Sequence, residues 1–187
     1  MSITARHTFA AIAAAALFAT PCDAQQRTGL MGDLIKDVTE LQGKLTSLAK
    51  EIPTDKYGWR PAADTRSVGE VLLHVAADNY FIPAGLGVKA DPSTRITDYP
   101  STIAYEKQKL SRDEILAQVD KSFAHLVKVM NETPDAKLDE MVPFFGQQMS
   151  RRMVWILTVT HLHEHLGQAI AYARSNNVVP PWSRRPA

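Results

Sequence analysis

Three histidines fall within five residues near the C-terminus, His161-Leu162-His163-Glu164-His165, followed directly by Leu166-Gly167-Gln168. An imidazole can ligate a metal, relay a proton or sit satisfied by hydrogen bonds, and the geometry of its segment decides which. The stretch around the cluster reads as one long helix, in which side chains advance by about 100° per residue. His161 and His165 then share a face with Glu164 and Gln168 beside them, while His163 points roughly the opposite way. Two neutral imidazoles at i and i+4 can chelate one divalent ion such as Zn, Ni, Cu or Fe. A third ligand must come from elsewhere, and the chain offers His74.

The surroundings weigh on each histidine differently. His161 and His165 lie among Trp155, Ile156, Val159, Leu162 and Leu166, and burying imidazoles there is costly unless each finds a partner. His74, between Leu73 and Val75, is placed near the inward face of its helix. There it fits a metal ligand or a core histidine satisfied by hydrogen bonds. His163 reads as a solvated or supporting residue, and His125, beside Phe123 and Leu126 with no partner at ligand spacing, as structural. A zinc peptidase is disfavoured, since His163-Glu164 would require histidine at the position held by Gly167.

Candidate assistants to the histidines are Glu164, Gln168 and Asp78, the last one turn beyond His74 on its own face. Glu164 is the first choice for a general base or an orienting group, although an exposed helix carboxylate has the same appearance. Tyr80, Phe81 and Tyr99 are candidates for the walls of the site's mouth.

Four helical segments position these residues. From Gly29 to Ile52, Leu34, Val38, Leu41, Leu45, Leu48 and Ile52 recur at spacings of four and three, a bundle seam closed by Pro53. The seam could equally serve a partner chain. A second helix opens with the capping-box pattern Ser67-Val68-Gly69-Glu70 and loosens at Pro83, Gly85 and Gly87. A third opens with Ser111-Arg112-Asp113-Glu114 and carries Ile115, Val119, Phe123, Leu126 and Met130 up to Pro134. The fourth runs from about Ser150 to Asn176 and is stopped by Asn176-Asn177 and by Pro180-Pro181. Between the second and third lies a long connection, 89–110, of the kind that often forms a crossover, lid or binding loop. The segment 135–149 reads as a second loop with a short extended piece. The expected class is all-α, a four-helix bundle in a single domain over residues 25–187.

The first residues suggest export. Arg6 and His7 precede an apolar run from Phe9 to Ala19, then Pro21-Cys22-Asp23-Ala24, the pattern of a secretory signal peptide over residues 1–24. The run is too short to anchor in a membrane, which takes about 20 apolar residues. Ala19-Thr20-Pro21 does not resemble the sequence preceding a lipidated cysteine. Cleavage after Ala24 removes the only cysteine, which excludes thiol catalysis and disulfides and places the mature protein in a periplasm or outside the cell. The net charge is +1 with or without the leader, so neither nucleic acid nor an anionic membrane surface is indicated as a partner.

The segment Val71-Leu72-Leu73-His74-Val75-Ala76, followed on the last helix by His161, His165, Gly167 and Gln168, resembles the DinB/YfiT-like superfamily of metal-binding four-helix bundles. Tyr57-Gly58-Trp59-Arg60-Pro61 and Arg66-Ser67-Val68-Gly69-Glu70 are similar to that family's approach to its second helix, and 176–181 to its tail. The likeness extends from about Gly29 to Trp182. It implies one divalent ion, Zn, Ni, Fe or Mn, held by His74, His161 and His165 with positions open to water or substrate, and a homodimer as a common assembly. Its characterised members include bacillithiol transferases, mycothiol-dependent maleylpyruvate isomerase and metal-dependent hydrolases. Those relatives are cytosolic, as are the low-molecular-weight thiols, so an exported chain argues against thiol transfer. The expectation is an exported metal-dependent hydrolase or transferase acting on a small molecule. The competing expectation is a non-catalytic envelope or stress protein that binds metal or a small ligand.

Overall fold

The computed structural model describes residues 27–184; the expected leader, its cleavage point and Cys22 lie outside them. Five helices are described, α1 (Gly29–Glu51), α2 (Val68–Gly85), α3 (Tyr99–Glu106), α4 (Arg112–Glu132) and α5 (Arg151–Ser175), with a hairpin of β1 (Met141–Phe144) and β2 (Gln147–Ser150) between α4 and α5. The four long helices, α1, α2, α4 and α5, form a four-helix bundle. Each of α1 and α2 packs against both α4 and α5, so the α1–α2 and α4–α5 connections cross the bundle while α2 and α4 are direct neighbours. No described helix is long and apolar enough to cross a membrane.

The core follows the periodicity. Val38, Leu41, Leu45 and Leu48 of α1 are buried against Phe123, Leu126 and Met130 of α4 and Trp155, Val159 and Leu162 of α5. In the first two turns of α1, Met31 is fully buried and Leu34 only partly so. Helix α2 is buried on nearly every side, because α3, α4 and α5 all lie against it; an apolar composition all round suits such a position. Both expected capping boxes form: the Ser67 Oγ accepts from the Glu70 amide and the Glu70 carboxylate accepts from the Ser67 amide, and Ser111 and Glu114 do the same on α4. Pro83 does not end α2, which continues to Gly85.

Two connections contain more order than the sequence reading assigned. The 89–110 segment is not a plain loop, for it holds α3, started by a reciprocal cap between Asp98 and Ser101 with Pro100 in the first turn. Eight residues form too short a helix to show a periodic stripe, and its stability comes from packing on α2. The extended piece in 135–149 is a full antiparallel hairpin with Phe144 opposite Gln147.

The hairpin turn is Phe145-Gly146, with φ of 48° and 77°. Positive φ at both central residues is the signature of the tight turn that usually carries Asn-Gly. A phenylalanine held left-handed costs about 1–3 kcal/mol. The hairpin is fastened below this turn. Phe144 is buried against Gly85, where an added Cβ would stand 2.7 Å from the ring, and the Arg151 guanidinium donates to the Leu86 carbonyl at 3.0 Å.

Candidate metal centre

Helices α2 and α5 bring His74, His161 and His165 together, with one nitrogen of each lying within 4.8 Å of the others. The three rings stand edge to face, His74 to His165 at 4.5 Å between centroids, His161 to His165 at 4.4 Å and His74 to His161 at 5.4 Å. His161 and His165 converge because they are one helical turn apart. His74 joins them because α2 presents its Asp78 face to α5, where Asp78 accepts from or faces both helices' histidines.

The outward nitrogens are held in place. His74 Nδ1 donates to Glu106 Oε1 at 2.6 Å, and Glu106 is gripped from the other side by Arg66 through Nε at 2.7 Å and Nη2 at 3.2 Å. Burial pushes the Glu106 carboxyl up, but its bonds to His74 and Arg66 outweigh that and hold it below the ordinary range. It therefore stays an acceptor, keeps the His74 proton on Nδ1 and leaves Nε2 with a free lone pair. On α5, the Gln168 amide donates to the Tyr172 hydroxyl at 3.1 Å, so its carbonyl accepts from His165 Nδ1 at 2.9 Å. Tyr172 in turn rests edge-on against Trp59, 5.3 Å between centroids, on the approach to α2. His165 Nε2 is left buried with no hydrogen-bond partner. Burial lowers the His165 pKa to about 4; the Gln168 bond raises it and the neighbouring histidines lower it further.

Asp78 completes the cluster, its Oδ2 lying 3.2 Å from His74 Nε2 and 2.7 Å from His161 Nε2. A buried imidazole nitrogen without a hydrogen-bond partner, such as His165 Nε2, is costly, and a metal ion at the cluster would satisfy it. Three imidazoles, with Nδ1 of His74 and of His165 each tied to an acceptor, suit a first-row divalent ion. The residues therefore fit a metal, which His74, His161 and His165 would hold.

The remaining sequence candidates fall around this centre. The Glu164 side chain is 76% exposed, with its carboxylate 3.8 Å from His161 Nδ1 at the outer edge. His163 turns away from the cluster and pairs with Asp37 of α1 at 2.9 Å. His125 lies against Tyr80, 5.0 Å between centroids, and not with the three clustered histidines. Both residues line a cavity of about 910 Å³ between α2, α3 and α4 that contains none of the three clustered histidines. Phe81 and Tyr99 do stand together, 6.3 Å apart. Sequence reasoning gave no role to Glu106, since its segment read as loop, or to Arg66. The Asp98 and Pro100 pair was the one signal that could have placed a helix there.

Comparison with known proteins agrees with this architecture. No curated protein matches the chain. Among solved structures it is similar to a DinB-like protein from Bacillus cereus ATCC 10987, with a TM-score of 0.67 at 19% identity, over 81% of this chain and 95% of that one. A DinB-like protein from Bacillus subtilis superposes with a TM-score of 0.60 at 16% identity, over 79% and 93% of the two chains. A mycothiol-dependent maleylpyruvate isomerase superposes with a TM-score of 0.54 at 14% identity, over 84% of this chain and 65% of the isomerase. At such identities these structures speak for the fold. The family model of the DinB superfamily matches residues 38–169, most of the described bundle, and the chain belongs to that superfamily.

Proposed function

We propose that the protein is an exported, divalent-metal-dependent hydrolase or transferase acting on a small molecule, with His74, His161 and His165 as the metal ligands. The observation that carries this reading is the partnerless, buried His165 Nε2 in a cluster where one nitrogen of each of the three histidines lies within 4.8 Å of the others. A divalent ion in such a setting supplies Lewis-acid polarisation of a carbonyl or phosphoryl group and acidifies water. The chain's own residues supply the rest. Glu106 and Gln168 fix ring orientation and tautomer, so the ligand nitrogens are arranged before anything binds. Asp78 stands within hydrogen-bond reach of two ligand nitrogens and is the carboxylate best placed to take a proton from a nucleophile at the cluster. Glu164, first choice on sequence grounds, is more exposed and more distant, and suits steadying His161.

Export is inferred from the pattern of residues 1–24, and it favours hydrolysis over transfer to a cytosolic thiol. A homodimer is part of the same proposal, read from the resemblance to the family. The test is metal analysis of purified protein beside His74→Ala, His161→Ala and His165→Ala, followed by a hydrolase screen of the loaded protein with Asp78→Asn. One ion per chain, lost in each histidine variant, supports the site; a protein that cannot be loaded with any divalent ion rules it out. Activity that survives loss of all three histidines removes the cluster from the chemistry.

A further inference from the structure

Three aromatic rings meet where α2, α3 and the hairpin come together. Phe81 lies 6.3 Å from Tyr99 and 6.1 Å from Phe145, measured between centroids. Phe81 is half-buried, but Tyr99 is 54% and Phe145 66% exposed. Helix geometry ties this group to the histidine cluster. Phe81 follows Asp78 by three residues, about 4.5 Å along the axis of α2 and on a neighbouring face. Tyr99, Ile103 and Glu106 share one face of α3, so the face that offers Glu106 to His74 carries Tyr99 away from it.

Phe145 is displayed at a conformational cost. The two-residue turn accommodates asparagine or glycine without strain, yet it carries a phenyl ring that points into solvent. That ring adds nothing to the core. The ring beneath it, Phe144, is the one that docks the hairpin: it is buried, with Phe145 edge-on to it at 4.7 Å. A rigid base and an exposed aromatic tip, joined through Phe81 to the helix that carries His74 and Asp78, have the make-up of a binding-site wall, since apolar walls with a few convergent polar groups are how small-molecule sites are built.

We infer that Phe81, Tyr99 and Phe145 determine specificity at the histidine centre by receiving an aromatic or extended apolar group of its substrate, whose reacting polar group lies at the histidines. The inference rests on the metal reading above and adds the substrate class. Zinc-loaded protein titrated with acetohydroxamate and with benzohydroxamate tests it, because the two share a metal-binding head and differ in the ring. Benzohydroxamate is expected to bind about tenfold tighter or better, the gain of burying one ring. Phe145→Asn and Tyr99→Ser are expected to abolish most of that difference while zinc content and acetohydroxamate affinity stay unchanged. Phe145→Asn should also unfold at a higher temperature than the parent, which separates loss of binding from loss of fold. Equal affinity for the two probes, or a preference that survives both substitutions, overturns the inference and leaves the metal site standing. So does an effect of Phe145→Asn that tracks dissociation of a dimer rather than probe binding. Failure of the metal reading looks different, with no zinc retained and neither probe bound, and takes this inference with it.

Discussion

Glu106, at the last residue of α3, holds His74 Nδ1 at 2.6 Å and is itself only 3% exposed. A short helix from a connecting segment thus orients a candidate metal ligand on α2, and Arg66 pins the carboxylate that does so. Partners of this kind typically carry 10- to 100-fold of a site's metal affinity (roughly). Glu106→Gln, which keeps the shape but loses the charge, should weaken zinc binding by about that factor, with the helical circular dichroism spectrum intact. Competition titration against a chelating dye measures it, and unchanged affinity would show that the contact only packs α3.

The lowered pKa of His165 makes the stability of the metal-free protein depend on pH. Burial disfavours the charged ring, so its folded pKa is about 4 against a model value of 6.5. Between these values the unfolded chain binds the proton and the folded one does not. This contribution to stability is therefore complete above pH 6.5 and is lost as pH falls toward 4. Urea unfolding of metal-free protein across this window should show falling stability on acidification, with a shallower slope in His165→Asn.

Glu70 gives the same sign in a more acidic range. Burial raises its pKa, but the Ser67 amide, Lys107 at 2.9 Å and Arg60 at 3.0 Å together lower it to about 2 from a model value of 4.5. Its stabilisation is full above pH 4.5 and disappears as pH approaches 2. Glu70→Ala should cost about 1 kcal/mol at neutral pH through loss of half of a capping box. The gap between variant and parent should close below pH 4.5, read from unfolding midpoints in an acid series.

Gly85 allows the hairpin to dock. A methyl group there would lie 2.7 and 2.9 Å from two carbons of the Phe144 ring, which is itself buried. Gly85→Ala should therefore destabilise by about 1–3 kcal/mol, the usual range for overpacking, despite the better helix propensity of alanine. Thermal unfolding measures this, and restoration by the double variant Gly85→Ala with Phe144→Leu would locate the clash in that contact.

Much of the bundle was legible in the chain because its signals are local. The α1 seam, the Ser67 and Ser111 capping boxes and the Asn176-Asn177 stop act within a few residues, and the structure places each where the pattern put it. Helix α3 was not legible, for an eight-residue helix carries too few turns to show periodicity and is held by its packing on α2. Phe145 in a left-handed turn is another case, since local preference at that position favours asparagine or glycine and the fold overrides it.

By itself, the sequence determined that His161 and His165 share a face and that His163 does not, since 3.6 residues per turn admit no other arrangement within one helix. It also marked His74 as a candidate third member. Only the tertiary structure decided that His74 meets the pair, that Glu106 and Gln168 hold the outer nitrogens, and that Asp78 rather than Glu164 faces the ligand atoms. Those relations join α2, α3 and α5 across gaps of 32 and 83 residues. No periodicity spans such a separation, and packing of the bundle is what closes it.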